Sequence, residues 1–267
     1  MGIWPMAGCL LHNFPSIVPV TWSCPMRTFM NIDADTVSHV AGELNRTGFA
    51  SISDYLTPEQ LEAAREDIAC EARFRGNASF AVRGTPNITG TLFERLVVSE
   101  EFQRLLLGVF TAGTGRTPLP TEKVHTVMRC LKGCDSARES NRFHYDATTL
   151  TVLLPVSMPE CSTEQGRLVL FPNTRGLRFS ALFNVIEKAV IQNRISQRLV
   201  AVAVRLGFLH PVKVVLAPGS LYFFWGYRSL HANEPCDPQA LRSTVLFHYD
   251  NPHRHSQVAR LLLPKGR

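Results

Sequence analysis

In the first half of the chain the apolar positions recur at helical spacing. Val37, Val40, Ala41 and Leu44 share one face of residues 35–46, and Gly48 follows where such a helix would end. Residues 49–53 then alternate apolar and polar, the period of a strand. Thr57, Pro58 and Gln60 make a capping-box pattern: a hydroxyl to cap, a proline at the first helical position and an amide three residues after the cap. A helix is expected from there to about residue 73. Residues 75–91, rich in Gly, Asn and Thr, read as loop, and a further helix is expected around 99–107.

From residue 123 the pattern becomes that of strands. Runs rich in Val, Leu, Phe and Thr occupy 123–131, 148–156, 167–171, 212–216, 220–225 and 241–248. Gly133, Pro159, Pro172-Asn173, Pro218-Gly219 and Pro235 punctuate them. Short strands with Gly/Pro turns and no alternating helices predict a sandwich or barrel rather than a doubly wound sheet. One helical insertion, residues 179–206, carries Leu182, Ile186, Ala189 and Val190 at helical spacing and is expected to pack across the β core or over its mouth. There is no internal repeat.

Composition narrows the class. The 267 residues are 45% hydrophobic and 19% charged, which excludes a disordered chain and leaves a mainly β domain with flanking helices over residues 31–267. Residues 1–30 hold one charge, Arg27, and four prolines that interrupt every apolar run. They read as a poorly ordered leader, with Met26 or Met30 as an alternative start, and not as an export signal, since no basic segment precedes the apolar one. Seven cysteines without a CxxC pair are expected as reduced thiols in a cytoplasmic protein. The net charge of +6 is spread along the chain, with no Lys/Arg run to bind nucleic acid or a membrane surface. No apolar run approaches the ~18 residues that span a bilayer.

Candidate chemistry centres on Arg142-Phe143-His144-Tyr145-Asp146, where His144 and Asp146 would project from one face of an extended segment. A third ligand must come from another strand, and His231 stands just after the run at 220–225. Two histidines and a carboxylate on one face of an octahedron suit Fe(II) in oxygen chemistry. Chance alone gives a chain of this composition about 0.3 His-x-Asp matches. His248-Tyr249-Asp250 is a second copy, read as an exposed strand end. Eleven residues after His231, Arg242 sits among Leu, Val and Phe on an apolar strand, and burying it there demands an anion. Thr244 shares its face, so the pair offers a fork and a hydroxyl to a carboxylate, unless a protein carboxylate meets the guanidinium instead. Arg129 is another charge in an apolar strand, placed to meet a co-substrate or to close a salt bridge. Arg75 and Arg83, in the glycine-containing loop, are candidates to clamp an acidic substrate.

The order His-x-Asp, Gly166 to Pro172, Pro218-Gly219-Ser220-Leu221, His231 and Arg242 resembles the Fe(II)/2-oxoglutarate-dependent dioxygenase superfamily over residues 123–249. Residues 48–56 and the capped helix after them resemble the lead-in of small-molecule hydroxylases such as phytanoyl-CoA-hydroxylase-like proteins. The resemblance implies a double-stranded β-helix, a cupin-like jelly-roll barrel with iron at its mouth. It implies Fe(II) on His144, Asp146 and His231, and 2-oxoglutarate held by Arg242 with Thr244 or Ser243 assisting. It further implies hydroxylation of a small molecule by O2, coupled to decarboxylation of 2-oxoglutarate to succinate. An amino acid derivative or natural-product intermediate, anionic if the arginines meet it, is the expected substrate. Two alternatives stand beside this reading. One is a demethylase or hydroxylase acting on nucleic acid or protein, which resembles a pattern with a second Arg where this chain has His248. The other is a jelly-roll binding protein without turnover.

Overall fold

The computed structural model describes residues 28–253 and 256, apart from 77, 120–121, 133–138, 160–163, 179 and 238–239. The leader up to residue 27 and the turn at Gly133 lie outside the described residues.

Helix α1 (Ala34–Thr47) starts where Asp33 accepts from the Thr36 N–H and ends at Gly48, whose φ of 77° is left-handed. A Cβ at Gly48 would also stand 2.2 Å from Pro172, so the turn into β1 (Phe49–Ile52) requires glycine twice over. Helix α2 (Pro58–Phe74) has the full capping box: Thr57 caps the Gln60 N–H and the Gln60 side chain returns to Thr57. The stretch expected as loop holds β2 (Phe80–Arg83) and a single 3-10 turn, Thr85–Ile88. The next helical region is two helices, α3 (Leu92–Val98) and α4 (Glu100–Thr114), divided at Ser99, which ends one and caps the other.

Six further strands match the expected runs: β3 (His125–Lys132), β4 (Leu150–Ser157), β5 (Leu168–Phe171), β6 (Val212–Val214), β7 (Leu221–Phe224) and β9 (Leu241–Tyr249). One more, β8 (Leu230–Asn233), lies just after the run at 220–225, where no strand was expected. The helical insertion is a pair, α5 (Ala181–Gln192) and α6 (Arg194–Arg205), broken at Asn193, whose side chain caps α6.

The strands form two antiparallel sheets, one in the order β1-β7-β4-β9-β3-β2 and one in the order β6-β5-β8. Strand β4 is buried along nearly its whole length because both of its faces are covered. Outward, Val152 and Leu154 join Phe223, Trp225, Val245 and Phe247 in a core shared with α1, α2, α3 and α4. Inward, Leu153, Tyr222 and Phe224 pack on Leu168, Leu170 and Val214 of the second sheet. Phe143, Val169 and Ala232, with Val200, Ala201 and Val204 from α6, cover the far side of that smaller sheet. The expectation of a closed barrel needs correction. The two sheets sandwich a core, but each ends in free edges, and the larger stops at β1 and β2.

Candidate metal and co-substrate site

His144 and His231 face each other because their backbones pair. The His144 N–H donates to the His231 carbonyl at 2.9 Å and the His231 N–H returns to the His144 carbonyl at 3.0 Å. Their rings lie 4.3 Å apart between centroids. Each ring is fixed the same way: the Nδ1 of His144 meets the Arg142 carbonyl at 2.8 Å, and that of His231 meets the Ser229 carbonyl at 3.0 Å. A carbonyl can only accept, so each Nδ1 is the donor and, in the neutral imidazole, each Nε2 holds the free lone pair. Those Nε2 atoms lie 3.7 Å and 3.6 Å from the two carboxylate oxygens of Asp146. The three ligand atoms converge within 4.8 Å of one another.

Asp146 is seated from several sides. Its N–H donates to the Gly226 carbonyl at 2.9 Å, and Thr151 donates its hydroxyl to Oδ2 at 2.6 Å. From α5, Lys188 donates to the Asp146 carbonyl at 2.7 Å. A Cβ at Gly226 would lie 2.3 Å from both Asp146 Oδ2 and Thr151 Oγ1, so only glycine lets the carboxylate lie there. Burial opposes ionisation of Asp146, but His231, His248, His144 and the Thr151 hydroxyl outweigh it and hold the carboxyl well below the usual range. Burial and the neighbouring His231 bring His144 down to about 4, despite the opposing pull of Asp146. The site therefore offers a neutral His144 imidazole, a second imidazole on His231 whose Nδ1 is turned to a carbonyl, and a carboxylate. That donor set fits Fe(II) with positions left open for small ligands, and the carbonyls behind the imidazoles are the outer partners metal-binding histidines use.

With His231 buried behind them, His144 and Asp146 open onto a cavity of about 770 Å³. Its wall includes Arg83 from β2, Val127, Arg129 and Leu131 from β3, and Leu246 and His248 from β9, with Gln192 and Gln197 from the helical pair. Arg129 and Arg142 share Glu139, at 2.5 Å and 2.6 Å, so Arg129 closes the expected salt bridge while also lining the cavity. Burial lowers the Arg129 pKa. Arg75 does not reach the cavity: it pairs with Glu71 at 2.5 Å and lies over the Phe80 ring, because it ends α2 instead of belonging to β2.

Arg242 is buried, and burial brings it down to about 10. Its Nη2 donates to Asn233 Oδ1 at 2.8 Å and its Nε to the Gly166 carbonyl at 3.3 Å. Among the described residues no carboxylate pairs with it. Asn233 belongs to the cavity wall, and Arg242 lies behind it. Thr244 shares its side of β9, but Ser243 does not, contrary to the expectation that Ser243 assists: strand alternation sends it to the helix-facing side with Val245 and Phe247.

The sequence reading missed His248. Far from being an exposed strand end, it is nearly buried, 3.8 Å from Asp146 Oδ2, and its ring stacks on His125. Its signal was the same alternation: Arg242, Thr244, Leu246 and His248 all share one side of β9. Asp250, the other half of that second His-Tyr-Asp, accepts from the Thr149 hydroxyl at 2.6 Å and serves the strand end. Thr151, Lys188 and Gly226 were also unforeseen, because nothing local to them in sequence marks their contact with Asp146.

No family model and no curated protein matches the sequence. Solved structures do match the fold. HygX from Streptomyces hygroscopicus, solved with nickel and 2-oxoglutarate bound, superposes with a TM-score of 0.57 at 13% identity, over 80% of this chain and 86% of that one. A prolyl 4-hydroxylase from Phytophthora capsici gives 0.55 at 15% identity, over 92% and 72%. The non-haem α-ketoglutarate-dependent epimerase SnoN of nogalamycin biosynthesis gives 0.51 at 15% identity, over 82% and 84%. The chain shares the fold of these enzymes. Its two sheets pack face to face, and it carries a His-Asp-His cluster.

Proposed function

We propose that the chain is an Fe(II)/2-oxoglutarate-dependent oxygenase that hydroxylates an anionic small molecule, an amino acid derivative or natural-product intermediate. The observation that carries this reading is the convergence of two oriented imidazole Nε2 atoms and one carboxylate at a cavity. His144, Asp146 and His231 hold the metal. Iron bound there supplies the activation of O2, coupled to decarboxylation of 2-oxoglutarate to succinate. Arg242 and Thr244 receive the distal carboxylate of the co-substrate: the guanidinium is buried, charged and bound only to neutral groups among the described residues, so an anion there offsets its desolvation. Arg83 and Arg142 leave the cavity wall cationic and draw in an acidic substrate.

The test is anaerobic addition of Fe(II) and then 2-oxoglutarate, followed by visible absorption. A charge-transfer band is expected in the wild type, absent in His144→Ala and weakened in Arg242→Ala. Failure of the wild type to bind iron would overturn the reading.

A further inference from the structure

Helix α5 is built inside out. Asn184, Glu187 and Lys188 face the protein, while Leu182, Phe183, Ile186 and Val190 are each at least half exposed. Helix α6 packs Val200, Ala201 and Val204 inward and likewise leaves Ile195, Leu199, Val202 and Leu206 at least half exposed, with Phe208 just beyond. At 3.6 residues per turn those four side chains fall within about 60° of arc, and Arg194, Arg198 and Arg205 form a row beside them spanning about 40°. No Asp or Glu occurs between Lys188 and Glu234. Arg194 and Arg198 also line, with Ser140, Asn141 and Arg142, a second depression of about 540 Å³. Among the described residues neither of them pairs with a carboxylate.

We propose that the α5–α6 face rests on an anionic phospholipid surface. The apolar row enters the boundary between headgroups and acyl chains, and Arg194 and Arg198 receive lipid phosphates. A contiguous apolar row is costly to leave in water, and a basic amphipathic helix is the pattern that lies in a membrane interface. No described helix is long and apolar enough to cross a membrane, so the contact is lateral. A soluble anion would satisfy the arginines but leave the row wet, and a second copy of this face would oppose arginine to arginine. Because Gln192 and Gln197 of the same helices line the main cavity, its mouth would lie near the lipid surface. The proposal does not depend on the oxygenase reading.

Flotation of the full chain with phosphatidylcholine vesicles, with and without phosphatidylglycerol, tests it directly. Binding is expected to the mixed vesicles and about tenfold weaker to the neutral ones. Leu199→Ser/Leu206→Ser and Arg194→Gln/Arg198→Gln should each lower binding about tenfold, while melting curves stay unchanged because all four side chains are exposed. Added salt should release the protein by screening, whereas inorganic phosphate at matched ionic strength should release no more. Four results would overturn the proposal. They are absence of a preference for anionic vesicles, specific displacement by phosphate, a dimer in light scattering that Leu199→Ser/Leu206→Ser dissociates, and binding to polyglutamate without binding to vesicles.

Discussion

Asp146 depends on single atoms supplied by residues from five to eighty positions further along the chain. Replacing Thr151 by Val keeps the volume and removes the hydroxyl that donates to Oδ2. Metal affinity is expected to fall about 10–100-fold, the usual cost of losing such a partner, as read by competition against a chromophoric chelator. Gly226→Ala is more severe. Its methyl would occupy the space of both the carboxylate and the hydroxyl, so metal binding should be lost and denaturant unfolding should show about 1–3 kcal/mol of overpacking. If Gly226→Ala bound metal normally, the seat described for Asp146 would be wrong. At this scale the sequence disclosed what strand alternation alone determines, namely His144 with Asp146 and Arg242 with Thr244. The same rule, applied consistently, would have separated Ser243 from them and added His248. Thr151, Lys188 and Gly226 reach Asp146 only through tertiary packing, which no local pattern records.

Elements were legible where their ends are written in side chains. The Thr57 cap, Gly48 and the Pro/Gly turns gave α1, α2 and most strands nearly to the residue. Strands β2 and β8, four residues each, were hidden, one in a Gly/Asn/Thr-rich stretch and the other in the short segment after the run at 220–225; both exist because a neighbouring strand supplies their ladder. The helical insertion reads as continuous in its apolar spacing, but Asn193 is itself a cap and breaks it. Between elements, Asn45 is the polar clasp. Its amide donates to the Gly113 carbonyl of α4 at 2.8 Å and its oxygen accepts from the indole of buried Trp225 at 3.1 Å, tying α1 to α4 and to the chain just past β7. Asn45→Ala strands that indole N–H and should cost about 1–3 kcal/mol in urea unfolding, with the metal site intact.

For the molecule as a whole, the helical pair is fastened to the sheets by few contacts. Arg175 lies between the rings of Tyr145 and Tyr227, at 3.8 Å and 4.4 Å, and grips Glu187 of α5 at 2.6 Å. Arg175→Met is expected to speed amide hydrogen exchange across α5 and α6 while leaving the six-stranded sheet protected. A metal that binds only the folded chain should also raise its stability, by about 2.7 kcal/mol at a hundredfold excess over Kd, and EDTA should reverse the gain in a melting curve. The paired backbones of His144 and His231 have a kinetic corollary. They close a long loop that contains the helical pair and four strands, and loops of that span close late because their entropy is spent before their contacts form. Ion capture should therefore mark the end of refolding: in stopped-flow experiments a metal-sensitive signal would appear only with the slowest phase, after the helices have formed.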